Sequence, residues 1–156
     1  MHDILVKLDC LGHDDPTMIH RLCELTGVNY RAIPLNDEKV MSLFLSPEAL
    51  GVSAEDLLWD TGTLGVPEFG TDFTLGVLKS TRPKTMEELI RISGLSHGTD
   101  VWNGNAEDLV KSGTAVLSEC ICTRDDIMNY LISKGVENKL SFDTMESVRK
   151  GRGLKP

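Results

Sequence analysis

Residues 123–135 read Thr-Arg-Asp-Asp-Ile-Met-Asn-Tyr-Leu-Ile-Ser-Lys-Gly, a short segment with its own helix start and stop signals. Thr123 followed three residues later by Asp126 is typical of a helix N-terminus, because each side chain can bond the other residue's backbone N–H. Apolar residues then recur at helical spacing, and Gly135 stands where glycine commonly ends a helix. The stretch therefore predicts one short helix.

Short helices of this kind are predicted along most of the chain. Pro16 and Gly27 delimit one of them, and Thr85 with Glu88 opens another. Polar, glycine-bearing turns separate these segments. Residues 4–10 differ, because apolar and polar residues alternate there with the period of a β-strand. The predicted fold class is mainly α, made of many short helices and one short N-terminal strand.

Composition limits the classes of function. The chain has 156 residues, 40% of them apolar and 26% charged, as in one ordinary globular domain. Its net charge of -8 argues against a strong general affinity for nucleic acid, although residues 148–156 carry four cations and no acid. No apolar run is long enough for a bilayer and no secretory signal is visible. We therefore expect a cytoplasmic location, no membrane partner and reduced cysteines.

Two polar residues interrupt the predicted strand. Lys7 and Asp9 fall on one of its faces, because successive side chains point to opposite sides. A cation beside a carboxylate can hold a phosphate and a metal ion. The pair can equally form the solvated face of an edge strand, which is the interpretation that spacing alone favours.

Two glycine-bearing segments resemble ligand-binding turns only weakly. Residues 61–70 lack the spacing of a phosphate-binding P-loop or of a dinucleotide fold, so a structural turn is favoured. Residues 92–98, Ile-Ser-Gly-Leu-Ser-His-Gly, are similar to a helix–hairpin–helix turn, whose N–H groups can face a phosphate. Alternatively, Gly94 simply ends a helix and His97 is an exposed turn residue.

Cationic and thiol side chains suggest further sites. Arg124 is at the start of the helix predicted for residues 123–135. It either belongs to a capping and ion-pairing cluster with the following aspartates, or its guanidinium is held for a phosphate. Arg149 and Lys150 follow an apolar helical pattern and either complement the helix dipole or contact phosphate. Cys120 and Cys122 have no second pair to complete a zinc site, which favours buried thiols.

Four collinear stretches carry a more specific signal. Residues 8–19, 62–71, 92–102 and 145–151 read Leu-Asp-Cys-Leu-Gly-His-Asp-Asp-Pro-Thr-Met-Ile, Gly-Thr-Leu-Gly-Val-Pro-Glu-Phe-Gly-Thr, Ile-Ser-Gly-Leu-Ser-His-Gly-Thr-Asp-Val-Trp and Met-Glu-Ser-Val-Arg-Lys-Gly. Together they resemble the PolC-type DNA polymerase III alpha subunit, the bacterial C-family replicative polymerase. Because that polymerase is far longer, the resemblance implies a segment of it.

The resemblance implies a division of the chain and roles for three residues. Residues 1–12 correspond to the last strand of the palm, and residues 13–156 to most of the helical fingers. Asp9 matches a catalytic, metal-binding aspartate, and Lys7 matches a palm lysine near the incoming triphosphate. Arg124 matches a fingers arginine that holds the triphosphate.

Four further residues receive a nucleotide- or phosphate-binding role from the same resemblance. Arg149 and Lys150 fall in a basic segment of the fingers that is expected near phosphates. Ser96 and His97 lie in a turn that is expected near the nucleotide. Cations at such positions suit a reaction in which negative charge builds on a leaving pyrophosphate.

The implied function is template-directed addition of dNTPs to a DNA 3′-end by two-metal phosphoryl transfer. The implied partners are Mg²⁺, a DNA primer-template, a dNTP, the rest of the polymerase and the replisome. The family's other two catalytic aspartates form an Asp-x-Asp pair, which this chain lacks. One aspartate cannot position two metals, so we expect the chain alone to be inactive. The alternative is a non-catalytic helix–hairpin–helix-like DNA-binding module or a truncated gene product.

Overall fold

The computed structural model describes residues 6, 8, 10–98 and 100–152. This part of the chain is mainly α, as predicted. Its helices are α1 (Asp15–Thr26), α2 (Glu38–Ser42), α3 (Ala54–Leu57), α4 (Asp72–Thr81), α5 (Met86–Leu95), α6 (Glu107–Lys111), α7 (Arg124–Ser133) and α8 (Asn138–Arg149). Three-residue helical turns lie at Tyr30–Ala32, Glu48–Leu50 and Leu117–Glu119. Trp102–Ala106 is a kinked segment, in which Asn103 and Gly104 have non-helical backbone angles. None of the described helices has both the length and the apolar character to cross a bilayer.

The chain divides into two compact units, Met1–Leu35 and Asn36–Pro156. In the first unit, α1 begins and ends as its proline and glycine predict. Pro16 lies in the first turn, and Gly27 closes the helix with a φ of 70°. None of the residues of α1 is buried, although its apolar residues recur at helical spacing. The predicted boundary at residues 12 and 13 between palm and fingers stays a prediction.

The predicted N-terminal strand is not confirmed. Val6, Leu8 and Cys10 are described, and they belong to no regular element. Lys7 and Asp9, which carried the metal and phosphate predictions, lie outside the described residues.

The second unit contains the hydrophobic core. Its centre is formed by α4 and α5, in which Val77, Leu78, Ile92 and Leu95 are almost fully buried. Burying one such side chain contributes roughly 1.5–3 kcal/mol. The predicted burial of the two thiols in residues 120–122 is confirmed, and both thiols belong to this core.

The glycine-rich segment 61–70 is a structural loop, as predicted. The buried Thr61 and Thr63 hydroxyls are 2.7 Å apart, and Thr63 Oγ1 donates to the Phe69 carbonyl at 2.9 Å. Thr74 Oγ1 donates to the Glu68 carbonyl at 2.9 Å and so connects the loop to α4. These bonds hold the loop in a fixed conformation from which Glu68 projects.

Gly94 allows α5 to approach the segment before α7 closely. A Cβ at this position would lie 2.4 Å from the Cys122 carbonyl oxygen and 2.9 Å from Thr123 Cγ2. Gly94 lies inside α5, so both interpretations of it, as a hairpin-turn glycine and as a helix-ending glycine, are wrong. The contact places the C-terminal end of α5 beside the N-terminal end of α7.

The last two helices, α7 and α8, pack against each other as a helical hairpin. The predicted capping pair opens α7, since the Thr123 N–H donates to Asp126 Oδ2 at 2.9 Å and the Asp126 N–H donates to Thr123 Oγ1 at 3.2 Å. Gly135 turns the chain with a φ of 85°. The Glu137 carboxylate then accepts from two N–H groups at the start of α8, each at 3.0 Å. The first residue of α7 therefore lies near the last turn of α8.

Candidate functional site

Three of the predicted phosphate-binding residues converge on one carboxylate, that of Glu146. Arg149 donates from Nε and Nη2 to the two carboxylate oxygens at 3.0 and 2.9 Å. Lys150 Nζ is 3.3 Å from Oε2, and Arg124 Nη1 is 3.6 Å from Oε1. We call these four residues the cation cluster. It combines side chains from both helices of the hairpin.

The cation cluster presents more positive than negative charge to solvent. Three cations and one carboxylate leave a net charge of +2, on a chain whose total is -8. The Arg124 side chain is 60% exposed, whereas that of Glu146 is only 22% exposed. An approaching anion therefore meets the cations before it meets the carboxylate.

The ion pairs also shift the proton equilibria of the cluster. Hydrogen bonds from Arg149, and then from Lys150, lower the pKa of Glu146 below its ordinary value. The same carboxylate raises the pKa of Arg149. Both shifts reinforce the states that the two groups already have at neutral pH, an ionised Glu146 and a protonated Arg149.

The carboxylate of Asp126, two residues after Arg124, caps the start of α7, whereas Arg124 pairs with Glu146. The Asp126 carboxylate accepts the N–H groups of Cys122 and Thr123, both at 2.9 Å. This satisfies two donors at the start of α7, as the capping interpretation predicted. The ion pair that the same interpretation predicted for Arg124 is formed instead with Glu146, on α8.

A groove runs along the hairpin beside the cation cluster. Its volume is about 700 Å³. Apolar side chains line the end where the two helices connect, namely Leu131, Val136 and Leu140. Polar and cationic side chains line the other end, namely Glu146, Lys150 and Arg152. Asp143 also lines this groove, so both cations and carboxylates belong to its lining.

Ser96 and His97 form a second group at the end of α5. Ser96 Oγ donates to the Ser93 carbonyl at 2.8 Å. His97 Nδ1 is 2.5 Å from the same oxygen, so Nδ1 carries a proton and donates it. His97 Nε2 is 3.5 Å from Glu68 Oε1. The Ser93 carbonyl, and to a smaller extent Glu68, raise the pKa of His97.

The metal-binding role implied for Asp9 stays a prediction, and no metal site is found among the residues that the structure describes. Those residues contain no group of three or more His, Cys, Asp or Glu side chains that could hold a metal ion. Asp9 lies outside the described residues, and it would supply one ligand only. The described residues, together with the one carboxylate of Asp9, therefore do not fit a two-metal centre.

The sequence did not lead us to the two glutamates that pair with the predicted site residues, Glu146 in the cation cluster and Glu68 beside His97. Glu146 had a usable signal, because it precedes Arg149 by three residues and Lys150 by four, the spacings at which helical side chains pair. No sequence signal indicates a role for Glu68, because its contact with His97 depends on how the 61–70 loop folds.

Known proteins of one kind match this chain over nearly its whole length. A sequence profile described as the bacterial DNA polymerase III alpha subunit finger domain matches residues 15–155. A PolC-type DNA polymerase III from Caldanaerobacter subterraneus is 63% identical over 150 residues, which are 96% of this chain and 11% of that protein. The corresponding proteins of Staphylococcus saprophyticus and Staphylococcus aureus are 57% and 55% identical over 154 residues, or 99% of this chain. The chain thus spans about 11% of the length of these relatives.

Proposed function

The chain belongs to the family of bacterial DNA polymerase III alpha subunit finger domains, and on this premise we propose that it binds the triphosphate of an incoming dNTP. In the proposal the cation cluster holds the phosphates for a full-length replicative DNA polymerase. That polymerase extends a DNA primer on a template in the cytoplasm, together with the rest of its own chain and the replisome. The palm assignment of residues 1–12 and the fingers assignment of residues 13–156 are part of the proposal.

The convergence of Arg124, Arg149 and Lys150 is the observation that carries this proposal. Guanidinium groups bind phosphate oxygens through paired N–H donors, and an ammonium adds a compact charge. As the bond to the leaving pyrophosphate breaks, negative charge builds on its oxygens, and fixed cations stabilise it. The three cations belong to one exposed cluster, as this role requires.

Ser96 and His97 are proposed to lie near the same nucleotide. The close approach of Gly94 to Cys122 and Thr123 supports this, because it joins the turn after α5 to the segment before Arg124. A raised pKa keeps His97 protonated over more of the neutral range, which would favour an anionic ligand.

Metal chemistry is assigned to the full-length polymerase rather than to this chain. Mg²⁺ would supply Lewis-acid activation, and Asp9 would be one of its ligands, with Lys7 near the triphosphate. The chain has no Asp-x-Asp pair to complete such a centre. We therefore propose that the chain alone does not polymerise DNA. A primer-extension assay with dNTPs and Mg²⁺ tests this, and robust synthesis by the purified chain would contradict it.

The alternative, a non-catalytic helix–hairpin–helix-like module, has less support. That motif presents backbone N–H groups from a glycine turn, whereas Gly94 lies inside α5 and packs on Cys122. A truncated gene product is compatible with the same binding properties.

Calorimetric titration of the chain with dATP tests the binding proposal. Arg124→Ala should weaken binding roughly tenfold to a hundredfold, because a hydrogen bond to a charged group contributes about 1.5–3 kcal/mol. Arg21→Ala is the matched control, since Arg21 is an exposed arginine that pairs with Glu24 on α1. Equal affinity of the Arg124→Ala and Arg21→Ala variants, or no binding by the unmodified chain, would overturn the proposal.

A further inference from the structure

We propose that Glu146 is a positioning residue of the phosphate-binding site. Its carboxylate holds Arg124, Arg149 and Lys150 in one cluster, so that their remaining donors face a triphosphate. The inference rests on the proposed function. It assigns a role to a residue that is negatively charged and so does not bind the anionic triphosphate itself.

The geometry shows how one carboxylate can organise three cations. Arg149 uses two of its five N–H groups for Glu146 and keeps three for a ligand. Lys150 contacts Oε2 at 3.3 Å and Arg124 contacts Oε1 at 3.6 Å, so both carboxylate oxygens bridge cations. Three like charges repel one another when nothing neutralises them. Glu146 lowers this repulsion and fixes where each cation lies before a ligand arrives.

Glu146 also connects the two helices of the hairpin at the site. Arg124 is the first residue of α7, and Glu146 lies in the last turn of α8. Without the carboxylate, Arg124 would be a long exposed side chain with no fixed relation to Arg149. The carboxylate is the least exposed charged group of the cluster, as expected for a residue that acts through its neighbours.

Removing the carboxylate has two opposing effects on anion binding. The net charge of the cluster rises from +2 to +3, which by itself tightens binding of an anion. The three cations also lose their common partner, so a ligand must order them separately, which weakens binding. The positioning role predicts that the second effect dominates. The sign of the change in affinity therefore separates positioning from simple charge.

The experiment is a titration of the chain with inorganic tripolyphosphate in two buffers, one with about 0.05 M salt and one with about 0.2 M salt. The comparison is informative because salt screens the interactions of exposed charges. Glu146→Gln should bind about threefold to tenfold more weakly at both salt concentrations. Asp143→Asn is the matched control, because Asp143 lies on the same helix, lines the same groove and pairs with Lys139 at 2.7 Å. It removes the same charge without contacting the three cations, and its affinity should stay equal or become slightly tighter.

A double-mutant cycle distinguishes positioning from a general structural effect. If Glu146 acts through Arg124, Glu146→Gln should weaken binding less in the Arg124→Ala background than in the unmodified chain. A general loss of helix stability would instead act independently of Arg124, so that Glu146→Gln would weaken binding equally in both backgrounds. Glu146→Asp keeps the carboxylate on a shorter side chain, so it should retain more affinity than Glu146→Gln. It also provides a second variant if Glu146→Gln folds poorly.

The outcomes separate this inference from the proposed function. If Arg124→Ala weakens binding while Glu146→Gln binds as tightly as the unmodified chain or more tightly, the positioning role is overturned and the proposed function stands. If the unmodified chain binds neither tripolyphosphate nor dATP, the proposed function and the positioning role are both overturned.

Discussion

Arg149 and Glu146, three residues apart on α8, form a two-pronged ion pair in which Nε and Nη2 lie 3.0 and 2.9 Å from the two carboxylate oxygens. The planar guanidinium matches the carboxylate, so the pair fixes the orientation of both side chains. The same carboxylate also contacts Lys150 and, across the hairpin, Arg124. We therefore expect Glu146 to contribute to the stability of the hairpin as well as to the arrangement of its cations.

The lowered pKa of Glu146 gives this contribution a defined pH dependence. A carboxyl group with a pKa depressed by folding stabilises the folded state above its ordinary pKa, about 4.5, and loses that effect as the pH falls through the lowered value. The unfolding temperature of the unmodified chain should therefore exceed that of Glu146→Gln near pH 7, and the difference should vanish as the pH falls well below the ordinary glutamate value. A difference that stays constant over this range would contradict the assignment.

Gly94 should be the glycine in the helices that tolerates alanine least. Gly94→Ala places a Cβ 2.4 Å from the Cys122 carbonyl oxygen, so α5 must move away from the start of α7. We expect a loss of about 1–3 kcal/mol in the free energy of unfolding, as for other overpacked sites. Urea denaturation measures this loss.

Gly76 in α4 is the matched control for Gly94. A Cβ there meets nothing within 4 Å, so Gly76→Ala should be neutral or should stabilise the chain by about 0.5–1 kcal/mol through helix propensity. Equal effects of the two substitutions would mean that the close approach at Gly94 is not what requires glycine.

Helix boundaries were predictable because their signals are local. The Thr123–Asp126 and Thr85–Glu88 pairs both form the reciprocal bonds that their spacing predicts. Burial was less predictable, because it depends on what packs against a helix. In α8 the apolar residues recur at helical spacing, yet Met145 is buried whereas Leu140 and Phe142 are about half exposed.

The site could be predicted only in part. The three cations were identified through a resemblance and through charge, but neither signal indicates that they meet. Arg124 reaches Glu146 only because the turn at Gly135 folds α7 back onto α8, which a pattern of single helices does not specify. The metal and palm predictions for Asp9 and Lys7 concern residues outside the described part of the chain.

The threonine bonds in the glycine-rich loop should be a large local source of stability. Thr63 is fully buried, and its hydroxyl contacts both Thr61 and the Phe69 carbonyl. Thr63→Val removes the hydroxyl that pairs with the buried Thr61 hydroxyl and with the Phe69 carbonyl, which should cost about 1–3 kcal/mol. Thr114→Val, at an exposed threonine, should change stability by no more than about 0.5 kcal/mol. Similar unfolding free energies for both variants would contradict the role of the buried bonds.

His97 should titrate above the ordinary histidine value because two oxygens stabilise its protonated ring. The Ser93 carbonyl accepts from Nδ1, and the Glu68 carboxylate faces Nε2. Glu68→Gln should therefore lower the pKa of His97 only in part, because the Ser93 bond is the larger cause and remains. Glu87→Gln removes the same charge from α5, where Glu87 pairs with Arg91, and should leave the His97 titration unchanged.

The sign of the linked stability follows from the direction of this shift. A histidine with a pKa raised by folding stabilises the folded state fully below its unfolded value, about 6.5, and loses that effect as the pH rises through the raised value. The unmodified chain should thus lose part of its advantage over Glu68→Gln as the pH rises above about 6.5. NMR titration of the His97 ring with thermal unfolding over the same range measures both quantities. An unchanged His97 pKa in Glu68→Gln would show that the Ser93 carbonyl alone holds the proton on the ring.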